Sequence, residues 1–222
     1  MTTQPRMVEV RARILKENDV LARSLRERFQ RAGVRVISFV SSPGSGKTTF
    51  LEKLMSRMAG RHRIAALVGD LATENDAARL ARTCTQVRQI TTGTICHLDA
   101  KMVAGALDGW QLDDLDFLFI ENVGNLVCPS SYDLGEQMRV VLLSATEGED
   151  KPLKYPTIFN TSDVALITKI DMADAAEFDR ETARRNILSV RPGMRILEVS
   201  AKTGAGMQET EDFLESVCVS DT

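Results

Sequence analysis

Ser38-Phe-Val-Ser-Ser-Pro-Gly-Ser-Gly-Lys-Thr-Thr49 is the stretch whose residue types and spacing most clearly prescribe a chemistry. An apolar run, Val34 to Val40, precedes it, and a helix-patterned segment, Phe50 to Met58, follows. Strand, glycine-rich turn and helix make the setting of a phosphate-binding loop. Gly44 and Gly46, with Ser45 between them, let the backbone aim several N–H groups at one phosphate. The new helix adds its N-terminal dipole. Lys47 offers a point charge to the outer phosphates, the Thr48 hydroxyl suits Mg²⁺, and Thr49 completes the cradle. The loop departs from the usual pattern at one position, where Ser41 stands in place of the first glycine. Serine can make that turn only at negative φ or under strain.

Acids at the ends of apolar runs form a second set. Asp70 closes Ile64-Ala-Ala-Leu-Val-Gly-Asp70, and Glu121 closes Leu115-Asp-Phe-Leu-Phe-Ile-Glu121. If these runs are parallel strands, their C-terminal ends share one edge of a sheet, where ligands bind. Either acid can serve Mg²⁺ or orient a water, and either can instead cap a turn. Thr168-Lys169-Ile-Asp171 closes another run, Val164 to Thr168. A carboxylate there accepts two hydrogen bonds from N1–H and the exocyclic amine of guanine, whereas adenine leaves it half-paired. Ser200-Ala201-Lys202 follows the next run. The order of these motifs favours GTP over ATP.

Cys96, His97 and Cys128 lie in loops that follow apolar runs. Thiolate and imidazole suit Ni²⁺ or Zn²⁺. The spacing is not that of a zinc finger, and a four-coordinate site needs water or a second subunit. The competing reading is that each cysteine is a small buried hydrophobe. His62, Cys84 and Cys218 have no such companions and read as surface or core residues.

The remainder of the chain must position these groups. Strand and helix patterns alternate, with further strands at 86–91, 139–145 and 195–199, and helices at about 73–80, up to 107, 173–190 and 207–217. That alternation predicts an α/β fold, a mostly parallel sheet flanked by helices. Thr73 reads as a helix cap, and Glu147 to Tyr155 reads as a polar loop. An N-terminal helix spans about 7–32, with Val10, Ile14, Leu15, Leu21, Leu25 and Phe29 at helical spacing and Gly33 as its cap. It is either a dimerisation arm or a helix packed on its own domain. The 222 residues fit one domain, 1–222. Apolar content of 43% with 27% charged residues is ordinary for a soluble globular protein. A net charge of −3 does not favour nucleic acid as a partner. No apolar run is long enough to span a bilayer, and no signal peptide is visible. With the four cysteines outside any CxxC pair, the chain reads as cytoplasmic with reduced thiols.

At these residues the chain resembles the nickel-insertion GTPases of [NiFe]-hydrogenase maturation, the HypB family. Matching stretches are Val40 to Thr49, Gly69 to Ala77, Cys96 to Ala100, Glu121-Asn-Val-Gly-Asn-Leu-Val-Cys-Pro129 with Tyr132 to Glu136, and Lys154 to Asn160 leading to Thr168–Asp171. The resemblance implies the fold of the dimerising SIMIBI-class P-loop NTPases and a homodimer tightened by GTP. It also implies Ni²⁺ or Zn²⁺ bound by Cys96, His97 and Cys128 at the dimer interface. GTP hydrolysis would be coupled to metal delivery, with a hydrogenase large-subunit precursor as acceptor and a zinc-containing accessory protein as helper. The sequence departs from some members in having no His-rich tract, with two histidines in all, and no N-terminal cysteine-rich motif. A urease-accessory GTPase is the nearest rival, but that family usually carries Cys-Pro-His where this chain has Cys128-Pro129-Ser130. A non-catalytic nucleotide switch and an ATP-using P-loop kinase are two further rivals.

Overall fold

A computed structural model describes residues 4–70, 75–83 and 86–216, with the backbone alone for 4–11 and 75. The expected cap at Thr73, the side chain of Val10, and Cys84 and Cys218 lie outside the described residues. Seven strands are β1 (Arg35–Ser41), β2 (Ile64–Asp70), β3 (Gln86–Thr91), β4 (Phe117–Glu121), β5 (Met138–Ser144), β6 (Val164–Thr168) and β7 (Arg195–Glu198). The helices are α1 (Gln4–Ala32), α2 (Lys47–Met58), α3 (Asn75–Leu80), α4 (Ala100–Ala106), α5 (Lys151–Lys154), α6 (Pro156–Asn160), α7 (Arg180–Val190) and α8 (Met207–Ser216). The strands form one sheet in the order β3-β2-β4-β1-β5-β6-β7, every neighbouring pair parallel. All strand C-termini therefore lie on one edge, with β1 at the centre.

The alternation of side chains along each strand builds a core on both faces. Ile37 and Phe39 of β1 join Phe117, Phe119, Val68 and Val140 under α2 and α8. Val36 points the other way, with Leu118, Ile120 and Leu67, into the layer of α1 and α4. Val40, Val141, Ala165 and Ile167 meet Ile158, Phe159 and Ile187 of α6 and α7. Burying each phenylalanine stabilises by roughly 1.5–3 kcal/mol, so the sheet centre is a firm base for the loops above it. No helix among the described residues is long and apolar enough to cross a membrane.

The elements depart from expectation at identifiable places. The stripe of α1 that packs is Asn18, Ala22, Leu25 and Phe29, whereas Ile14 and Leu21 are exposed. Spacings of four, three and four keep one face turned inward, and Leu21 falls off that face. From Asn18 onward α1 packs on its own sheet. Gly33 does end it: at φ 68° its neighbour Val34 donates back to the Phe29 carbonyl at 3.2 Å, closing the helix with a left-handed turn. α7 begins at Arg180 rather than near Ala173, because Asp179 caps it by accepting from Thr182 N–H at 2.9 Å and Glu177 sits at φ 52°. The expected loop 147–155 contains α5, whose Pro152 suits a first helical turn.

Candidate nucleotide and metal site

α2 starts three residues earlier than its apolar pattern suggests, at Lys47, because Gly46 at φ 90° turns the chain straight into the helix. Gly44 sits at φ 75°, so both glycines use a conformation that other residues rarely adopt. Ser41 needs no such freedom. Among the described residues only Lys169 and Glu177 are non-glycine positions with positive φ. Ser41 is instead the last residue of β1; its hydroxyl accepts from Ser45 at 2.7 Å and donates to the Ser42 carbonyl at 2.8 Å. Serine thus replaces glycine without strain and braces the loop.

Glu121 pairs in register with Phe39 of β1 and Val68 of β2, which puts its carboxylate beside the start of α2. Its Oε1 accepts from the Thr48 hydroxyl at 2.7 Å and lies 3.5 Å from Lys47 Nζ. Its Oε2 is buried with no hydrogen-bond partner among the described residues. The residue is 2% exposed, and burial pushes its carboxyl above the ordinary value, with Lys47 and Thr48 offsetting part of the rise. A cavity of about 510 Å³ lies over this pair, lined by Gly44 to Thr49, Asp70, Glu121 and Lys169. A buried carboxylate oxygen without a partner, next to a hydroxyl at a helix start, suits a hydrated divalent cation.

A second cavity, of about 230 Å³, opens beside the first and is lined by Phe50, Thr168, Lys169, Asp171, Met172, Ala201 and Lys202. Thr168 donates to the Ser45 carbonyl at 2.7 Å, and Lys169 Nζ to the Gly44 carbonyl at 2.7 Å. These bonds lock the TKID loop onto the phosphate loop. Lys169 takes φ 56°, which lets Asp171 turn back toward the cavity. The Ser200 hydroxyl donates to Asp171 Oδ1 at 2.6 Å and fixes its rotamer. A largely apolar cavity with one oriented carboxylate in its lining suits a purine that presents adjacent N–H donors.

Cys96, His97 and Cys128 come together: one ligand atom from each lies within 4.8 Å of the others. The two sulfurs are 2.8 Å apart. The His97 ring stacks on Tyr132, centroids 3.9 Å apart at 29°. Its Nδ1 is buried without a hydrogen-bond partner among the described residues, and burial holds the imidazole pKa below its ordinary value. A neutral imidazole beside two thiols is a donor set for a borderline-soft cation. His62 stands apart, bonded to Glu215 at 2.8 Å and edge-on to Phe117.

Several residues that join the two regions have no ligating role to advertise them, although most lie within the stretches that carry the family resemblance. Asn122, next to Glu121, lines the larger cavity, and its Oδ1 accepts from Leu98 N–H at 3.0 Å and from Val123 N–H at 2.9 Å. Leu98 follows His97 and presses on Gly69, where an added Cβ would meet its side chain at 2.8 Å. Gly124 lies as close to Pro43 of the phosphate loop, with 3.0 Å left for a Cβ. Asp76 and Arg79 also line the cavity, Arg79 bonding Thr49 at 3.1 Å and Glu52 at 2.7 Å. The signals in the sequence are their place in those stretches and their position: Asn122 and Gly124 follow a strand-end acid, and Gly69 precedes one.

These features define a P-loop nucleotide-binding protein with a soft-donor cluster on the same sheet edge. A family model described as CobW/HypB/UreG, nucleotide-binding domain, matches residues 35–198. Over 213 residues the chain is 46% identical to the hydrogenase maturation factor HypB of Rhizobium leguminosarum bv. viciae, spanning 96% of this chain and 71% of that protein. The crystal structure of HypB from Helicobacter pylori in complex with nickel superposes with a TM-score of 0.86 at 42% identity, covering 91% of this chain and 95% of that one. HypB of Archaeoglobus fulgidus gives 0.85 at 38% identity, covering 91% and 99%. The chain belongs to the HypB family of hydrogenase maturation factors.

Proposed function

We propose that this chain hydrolyses GTP to GDP and phosphate and couples the reaction to delivery of nickel during [NiFe]-hydrogenase maturation. The observation that carries the reading is the meeting of three soft donors, one of which, Cys128, follows closely on the segment Glu121 to Gly124 that lines the phosphate cavity. Gly44 to Thr49 cradle the phosphates, and Lys47 neutralises charge that develops on transfer. Thr48, with Asp70 or Glu121, holds Mg²⁺ and orients the attacking water. Thr168, Lys169 and Asp171 hold guanine, while Ser200, Ala201 and Lys202 close the cavity around it.

Nickel is the cargo, held by Cys96, His97 and Cys128, and Zn²⁺ competes for the same donors. One chain supplies three donors, so a homodimer completes the coordination or shields it. Exposed Ile95 and Val127, each beside one of the cysteines, give that contact an apolar surface. GTP tightens the dimer, and hydrolysis releases metal toward a hydrogenase large-subunit precursor with help from a zinc-containing accessory protein. The whole chain acts as one cytoplasmic GTP-binding unit. Relatives named as hydrogenase maturation factors and a nickel-bound structural neighbour support this assignment.

The direct test is metal analysis of the GTP-loaded protein beside Cys96→Ala and Cys128→Ala, with molecular mass measured in the same run. The reading expects stoichiometric nickel in a dimeric wild type and loss of the metal in both variants. Nickel content unaffected by either substitution would remove the carrier role and leave a nucleotide hydrolase.

A further inference from the structure

We infer that Asn18, on a helix that carries no donor, is a positioning residue that holds both donor loops of the metal site in register. The inference rests on Cys96, His97 and Cys128 being that site. Asn18 is 6% exposed, and both ends of its amide are used. Oδ1 accepts from Ala100 N–H at 2.9 Å, and Nδ2 donates to the Asp133 carbonyl at 2.9 Å. The chemistry fixes the orientation of the amide, because an N–H must face its oxygen and a carbonyl its nitrogen.

The two backbone groups belong to the two donor loops. Ala100 opens α4 directly after Cys96-His97-Leu98-Asp99, with Asp99 capping the helix through Met102 N–H at 2.8 Å. Asp133 follows Tyr132, the residue stacked on His97, and lies just beyond the 3-10 turn Cys128–Ser131. A single buried side chain therefore sets the separation between the loop of Cys96 and His97 and the loop of Cys128. Among uncharged side chains only asparagine and glutamine carry an N–H donor and a carbonyl acceptor on separate atoms of one planar amide.

α1 grips the second loop at two more points. Arg26 donates to both carboxylate oxygens of Asp133, at 2.7 and 2.9 Å. Gly135 lies against the same helix so closely that a Cβ would meet the Ala22 carbonyl oxygen at 2.8 Å. On its other side the first loop is held by Asn122, which accepts from Leu98 N–H. Asn122 belongs to the nucleotide edge; Asn18 is the fixed post against which that edge can work. Groups outside a metal's immediate ligands that orient those ligands typically change affinity about 10–100-fold when removed.

The test uses the full chain and Ni²⁺ itself, titrated in competition with a chromophoric chelator, for wild type, Asn18→Leu, Asn18→Ser and Cys128→Ala. Melting temperature and GDP affinity establish that each variant is folded. Asn18→Leu, which loses both bonds, is expected to bind Ni²⁺ about 10–100-fold more weakly and to shift the nickel–thiolate charge-transfer band. Asn18→Ser, able to keep one bond, falls between it and wild type. A folded Asn18→Leu with wild-type affinity and spectrum overturns the inference; if Asn18→Leu does not fold, the same result for Asn18→Ser overturns it. If Cys128→Ala loses nickel while the Asn18 variants do not, the metal site stands and only the role of Asn18 falls. If Cys128→Ala binds nickel as wild type does, both fall.

Discussion

The Thr48 hydroxyl donates a 2.7 Å hydrogen bond to Glu121 Oε1 across 73 positions of sequence, joining the first turn of α2 to the last residue of β4. It does so beneath the larger cavity and beside Lys47, so three groups of opposite or complementary character share one buried point. Glu121→Gln keeps an acceptor for Thr48 and removes the charge. We expect it to retain guanine nucleotide and to lower the rate of hydrolysis on the order of 100-fold or more, measured by single-turnover phosphate release. Wild-type turnover in this variant would move the role to Asp70.

The same carboxyl sets a pH dependence. Burial raises the Glu121 pKa in the ligand-free protein, so at the acid end of the range it carries a proton and cannot balance Mg²⁺. Mg²⁺-dependent nucleotide affinity is expected to weaken as pH falls through a window above the ordinary glutamate value, and Glu121→Gln should flatten that limb. Calorimetric titrations with and without Mg²⁺ read the effect directly.

Asp171, held by Ser200 at 2.6 Å, is placed to choose the base. Asp171→Asn exchanges an acceptor for a donor and is expected to weaken GDP binding on the order of 100-fold while improving xanthosine diphosphate. Competition against a fluorescent nucleotide measures both. An unchanged preference for guanine would mean that another group reads the base.

Gly69 and Leu98 test the contact between the two regions. Gly69→Ala places a methyl where Leu98 now sits, at 2.8 Å, and must displace the residue after His97. Overpacking of this kind costs about 1–3 kcal/mol, so a lower melting temperature is expected together with weaker nickel binding. Gly60, whose Cβ would meet nothing within 4 Å, is the control site for the same substitution.

Arg26 and Asp133 make a stability prediction with a definite sign. Burial alone would raise the Asp133 carboxyl, but hydrogen bonds from Arg26 and Gly135 N–H hold it below the ordinary range. A depressed carboxyl contributes stability above its unfolded pKa of about 3.9 and loses it as pH falls through the lower folded value. Arg26→Met is therefore expected to lose about 0.5–1 kcal/mol at pH 7, as befits a pair about one-third exposed, and the gap to wild type should close on acidification. A gap that is constant from pH 7 to pH 3 would assign the loss to packing.

Local pattern carried the strands, the phosphate loop, TKID and the three soft donors into view, because each depends on residue type and near spacing. Contacts set by the sheet order were out of reach. Asn18 is not among the apolar positions that mark the N-terminal helix, yet it is buried and bonds to Ala100 and Asp133. Tyr132 reaches His97 only because β2 alone separates β3 from β4, which brings the loops beyond those two strands together. The late start of α7 was hidden for another reason: apolar spacing continues through Ala173, and only the cap at Asp179 shows where the helix begins.

Mutual sensitivity of nickel and the nucleotide's terminal phosphate is what the Asn122–Leu98 contact predicts. Its most direct test is the Ni²⁺ dissociation constant of the full chain measured twice, once with GDP and once with a non-hydrolysable GTP analogue, both with Mg²⁺. Coupling through Asn122 and Leu98 predicts that the two constants differ by about 5-fold or more. Equal constants, with the metal bound through Cys96 and Cys128 in both states, would contradict it.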